Sequence, residues 1–68
     1  MKKYEVTNAG GNIIGYFNTF NQAIDYINKN LDEVTKIIDR SYGYKIETTR
    51  KLYGGNEFKF DYFVREVA

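Results

Sequence analysis

Nine carboxylates carry most of the acid–base chemistry open to this chain: Glu5, Asp25, Asp32, Glu33, Asp39, Glu47, Glu57, Asp61 and Glu66. There is no His and no Cys. The usual nucleophile–base pairs and the proton shuttle that works near neutral pH are therefore missing. A carboxylate hydrolase needs two acids in a cleft whose environments split their pKa values. The one adjacent pair, Asp32-Glu33, follows a helical pattern and reads as charge at the start of the next turn. A short domain with one helix leaves little room for a cleft. The expectation is a non-enzymatic protein without cofactor. It is also one without a metal site, because zinc sites are built from Cys and His, and no segment spaces carboxylates as a calcium loop does.

Gly10-Gly11-Asn12-Ile13-Ile14-Gly15 invites a phosphate-loop reading. It lacks the Lys-Ser/Thr pair and precedes a strand pattern, so it reads as a hairpin turn.

A second cluster suggests single-stranded nucleic acid. Residues 1–34 have a net charge of −1 and residues 35–68 a net charge of +2. Arg40, Lys45, Arg50 and Lys51 lie close in sequence, with Tyr44 among them for stacking. Sheet aromatics flanked by cations are what single-strand binders use. The total charge of +1 opposes this reading, since phosphate affinity comes from Lys and Arg neutralisation. The RRM signature is also absent.

Protein binding is the broader expectation. Seven Tyr and three Arg in 68 residues exceed what a small core hides, and both types are enriched at interface hot spots. The contact residues expected are Tyr42, Tyr44, Arg50, Tyr53, Phe63 and Arg65. The rings would be buried, and Arg50 and Arg65 would fork to partner carboxylates. Alternation puts Phe63 opposite Phe58, Phe60 and Tyr62, so one helix cannot cover both faces. An edge strand pairing with a second copy would give a homodimer.

Composition sets the frame for these readings. At 43% hydrophobic and near-zero net charge, the chain is a globular sequence, expected to form a single domain over 1–68. Without Cys it is no disulfide scaffold. It has no apolar run long enough for a membrane span, and no apolar h-region follows Lys2-Lys3. The expected location is the cytoplasm. Residue types with AT-rich codons (Phe, Tyr, Met, Ile, Asn, Lys) make up half the chain. That bias suggests a low-GC bacterium or its phage, and with it a small protein that binds and inhibits a host protein, such as a defence nuclease.

The elements that must position these residues follow from periodicity. Residues 3–8 alternate, with Tyr4 and Val6 on one side, and 12–17 are β-branched and aromatic, so the two form a hairpin across Asn8-Ala9-Gly10-Gly11. Gly15 predicts a bulge or a close backbone contact. Thr19 with Gln22 predicts a capping box for a helix over 20–30, ended by Asn30 in the left-handed conformation. Phe20, Ile24, Ile27 and Leu31 form its apolar face. Val34, Ile37 and Ile38 fit a helix or a strand. The strand is preferred, because 44–49 would pair with it across Arg40-Ser41-Tyr42-Gly43. Tyr53-Gly54-Gly55-Asn56 is a turn, and 57–67 a long strand. The order β-β-α-β-β-β predicts an α+β two-layer domain, an antiparallel sheet with one helix packed on one face.

Overall fold

The computed structural model describes residues 3–67. Strands β1 (Lys3–Asn8), β2 (Ile13–Phe17), β3 (Glu33–Arg40), β4 (Gly43–Lys51) and β5 (Glu57–Val67) form one antiparallel sheet in the order β2-β1-β5-β4-β3. The last strand in sequence is the central one. The helical segment between β2 and β3 packs on one face, as the α+β reading expects.

The β1–β2 hairpin is tied at its loop by Asn8, whose Oδ1 accepts from the N–H groups of Gly10 and Asn12, each at 3.0 Å. Val6 faces Gly15 and Thr7 faces Ile13, which leaves Ile14 as the extra residue of a bulge beside Gly15. The bulge turns Ile14 onto the core, against which Tyr4 and Phe17 also pack.

Helix α1 (Phe20–Tyr26) starts as its sequence specifies: Gln22 N–H donates to Thr19 Oγ1 at 3.1 Å. The Gln22 carboxamide oxygen reaches back one residue further than in a regular capping box and accepts from Asn18 N–H at 3.2 Å. The helix does not end at a left-handed Asn30, because no described non-glycine residue has positive φ. It widens instead into a π-helical turn (Ile27–Leu31), closed by Asp32 N–H on the Ile27 carbonyl at 3.0 Å. Asp32 leaves this turn in extended conformation, φ −139°. The wider turn keeps Ile27 fully buried and still delivers the next residue beneath the sheet.

The segment 33–40 is a strand, held against β4 with Ile37 opposite Ile46 and Asp39 opposite Tyr44. Its ladder shifts between Val34 and Lys36, making Thr35 a bulge. Arg40 closes on Gly43 around a two-residue turn, Ser41-Tyr42. Gly43 adopts φ 149°, and a Cβ there would lie 2.6 Å from the Val64 carbonyl oxygen.

The core is Val6, Ala23, Ile27, Ile46, Tyr62 and Val64. Tyr4, Phe20 and Tyr44 close one end of it, with the Phe20 ring 4.5 Å from Tyr44 and 6.1 Å from Tyr4. Burying an aliphatic side chain such as Ile27 stabilises by about 1.5–3 kcal/mol.

Candidate partner-binding surface

The candidate surface arises from unequal strand lengths. β5 has eleven residues but pairs with β1 only from Tyr62 to Val67. From Phe60 back to Glu57 it pairs with β4 alone, and β3 reaches only as far as Thr49. The far end of the β4–β5 hairpin therefore projects past the rest of the sheet. Helix α1 lies against β1 and β2 and meets β4 through Phe20 on Tyr44, at the end of β4 away from the overhang, whose Phe58 and Phe60 stay exposed.

Exposure along the helix-side face of β5 records this overhang. Val64 is 0% exposed, Tyr62 7%, Phe60 39% and Phe58 48%. Leu52 and Tyr53 continue the exposed apolar surface into the turn. The turn is built on Leu52, whose N–H donates to the Asn56 carbonyl, with Gly54 and Gly55 supplying the positive φ values it requires.

Arg50 links the overhang to the core. It faces Phe58 across the ladder, and its guanidinium sits 4.9 Å from the centre of the Phe60 ring. Its Nε donates to Asp32 Oδ1. The Tyr62 hydroxyl donates to the other oxygen, Asp32 Oδ2, at 2.7 Å. The Asp32 side chain is fully buried, while the Arg50 side chain stays 47% exposed. Burial pushes the Tyr62 phenol up to about 12, and the Asp32 hydrogen bond adds to the shift. Asp32 is thus no charge on a turn, as its sequence position suggested. It is a buried acceptor that fixes Arg50 beside the exposed phenylalanines.

The opposite sheet face repeats the chemistry. Glu5 is only 6% exposed, and its two oxygens accept from Arg65 Nε at 2.8 Å and the Tyr16 hydroxyl at 3.1 Å. The Arg65 hydrogen bond holds the Glu5 carboxyl below its ordinary value, against the opposing effect of burial. The Glu5 hydrogen bond in turn raises Tyr16. Neither carboxylate was singled out for such a role from sequence. Their partners lie 11 to 60 residues away, and no local pattern links them.

The residues expected at a partner interface do not converge. Tyr42 is exposed at the β3–β4 turn and Tyr53 at the β4–β5 turn. The whole of β4 separates them, roughly 30 Å of strand. Tyr44 packs on Phe20 at the edge of the core. Phe63 and Arg65 stand on the face away from the helix, and Phe63 is half-buried opposite Lys45 and Thr7. Of that set only Arg50 and Tyr53 belong to the overhang. Leu52, Phe58 and Phe60 join them there, and the alternation of β5 had already put the two phenylalanines on one face.

The cations considered for nucleic acid are also divided. Arg50 points to the helix side, while Lys45 and Lys51 alternate with it onto the other face. Lys45 lies 3.7 Å from Glu47 and 3.8 Å from Asp61, which neutralise it locally. Arg40 sits at the far turn beside Tyr44, where an open concavity of about 470 Å³ is lined by Tyr4, Phe20, Tyr42 and Asp39. These five residues form no continuous basic track.

No protein-family model matches the chain, and neither a curated protein nor a solved structure matches it.

Proposed function

We propose that this chain is a non-enzymatic protein-binding module that docks through the helix-side face of the overhanging β4–β5 hairpin. The observation that carries this reading is the pair Phe58 and Phe60, exposed beside Arg50, with exposed Leu52 and Tyr53 in the adjoining turn. Grouped apolar exposure marks interaction surfaces, whereas scattered exposure does not. Aromatic rings around a positioned arginine are the composition of interface hot spots. Arg50 is held by Asp32 and by the Phe60 ring, so little side-chain freedom remains for it to lose on binding. The partner surface this fits is apolar with one carboxylate.

The AT-rich residue usage extends the proposal to a phage or mobile-element protein that inhibits a host protein in the cytoplasm, a defence nuclease being one such target. No helix among the described residues is long and apolar enough to cross a membrane.

The test is capture from a low-GC bacterial lysate, treated with nuclease and washed at high salt, with the wild-type chain and the Phe58→Ser/Phe60→Ser variant side by side. The expected result is one stoichiometric protein retained by the wild type and released by the variant. Material lost to nuclease and salt would overturn the reading in favour of nucleic acid, whose binding falls steeply with salt.

A further inference from the structure

The two edges of the sheet are β2 and β3. β2 has five residues broken by the Ile14 bulge, so it offers no flat run. β3 changes character along its length. Its first half is guarded against added strands by the Thr35 bulge and by Asn28, whose Oδ1 accepts from Val34 N–H at 3.0 Å. From Lys36 to Arg40 the ladder is regular and nothing described covers its outer edge.

Backbone groups in an antiparallel strand point alternately toward the partner and away from it. Arg40 pairs with Gly43 across the two-residue turn and faces inward, so Ile38 and Lys36 also face β4. Ile37 and Asp39 then turn both N–H and C=O to the open edge. Ile37 is 44% exposed on the helix side, and Ile38 is half-buried on the other.

We propose that two copies of this chain pair antiparallel along this edge, with Ile38 opposite Ile38 of the second copy. Ile37 of each copy then faces Asp39 of the other, and each such pair exchanges both main-chain hydrogen bonds. Every outward group of the regular stretch is used. Moving the axis to Ile37 sets Asp39 against the bulged Thr35 and loses part of the ladder. Moving it to Asp39 opposes two carboxylates, and moving it to Lys36 opposes two ammonium groups. The stretch is its own complement: two outward residues flank one apolar residue. The two-fold axis stands normal to the sheet, so both helices lie on one side of a continuous sheet. This association is independent of the overhanging hairpin and does not rest on its role.

One feature of the register weakens the pairing. Lys36 faces Arg40 of the second copy on both sides of the axis, and directly opposed like charges are unfavourable. The dimer is therefore a weak one, strengthened by salt, and repairable by a single substitution.

The test uses the purified chain. Sedimentation into the high-micromolar range should show a monomer–dimer equilibrium that added salt tightens. Arg40→Glu, at an exposed position, should tighten it about fivefold by placing opposite charges across the axis. Because the chain has no cysteine, a single one reports the register. Ile38→Cys should oxidise to a disulfide dimer, since opposed residues of this kind have Cα atoms about 4.5 Å apart, within disulfide reach. Ile37→Cys should not, since its counterpart is a diagonal neighbour roughly 7–8 Å away. A monomer at every concentration, or linkage through Ile37→Cys in place of Ile38→Cys, would overturn the proposal.

Discussion

Two carboxylates, Asp32 and Glu5, are each buried and each satisfied by one arginine and one tyrosine. Burying a carboxylate is unfavourable unless it is paired and hydrogen-bonded, and here both oxygens of each have a donor. This satisfaction sets a pH response. The folded Glu5 carboxyl titrates below its ordinary value of 4.5. Its contribution is thus fully present above that value and is lost as pH falls through the lower folded one. Denaturation midpoints measured from pH 7 downward should fall below about pH 4.5, and Glu5→Gln should flatten that part of the profile. Tyr62 behaves in the opposite sense. Its phenol is raised to about 12, so its contribution is present below its ordinary value of 10 and is lost as pH rises toward 12.

At the scale of elements, the sheet depends on turns whose geometry only particular residues supply. Gly43 is the most constrained. It combines φ 149° with a Cβ position blocked by backbone, the Val64 carbonyl oxygen of the neighbouring strand. Gly43→Ala should cost more than about 1 kcal/mol in urea denaturation, because the blocking atom belongs to the central strand. Gly54 also has a positive φ, 90°, but open space around it. Gly54→Ala should therefore be milder, and comparing the two variants separates backbone strain from steric exclusion. The helix illustrates the limit of local rules. Its start follows from Thr19 and Gln22, which act within one turn. Its end does not follow from Asn30, because Asp32 must reach Tyr62 and Arg50, and the π-helical turn supplies the path.

The whole molecule is elongated, 44 × 22 × 19 Å, with a radius of gyration of 12.1 Å. A compact domain of this length would have about 10.9 Å. The excess follows from the projecting hairpin, which lacks a second layer. Stability should therefore be uneven along the sheet. In hydrogen exchange, amides near Val6, Ile46 and Val64 should exchange only by global unfolding. Those at Arg50 and Phe58, where β4 and β5 pair alone, should exchange by local opening at a much faster rate. Uniform protection along β5 would show that the overhang is as well supported as the core.

The sequence by itself determined the elements and their faces. Period-two alternation in 3–8 and 57–67, the N-terminal capping residues of the helix and the glycine turns act over a few residues, and all are present in the fold. The strand at 33–40 was legible through the pairing it offered to 44–49, since a hairpin is still a local structure. Only the tertiary structure decided which strand is central, where the layers end and which residues share a surface. β5 lies between β1 and β4 because its two edges pair with different strands, one of them about sixty residues distant. Arg65 and Glu5 meet by that pairing, and Arg50 and Asp32 meet by the helix exit. Tyr42 and Tyr53 are close in sequence but fall at opposite ends of β4, because a strand rises more than 3 Å per residue. Proximity along the chain is therefore a poor guide to a shared surface in a sheet, where partners are set by register and coverage by the length of the layer above.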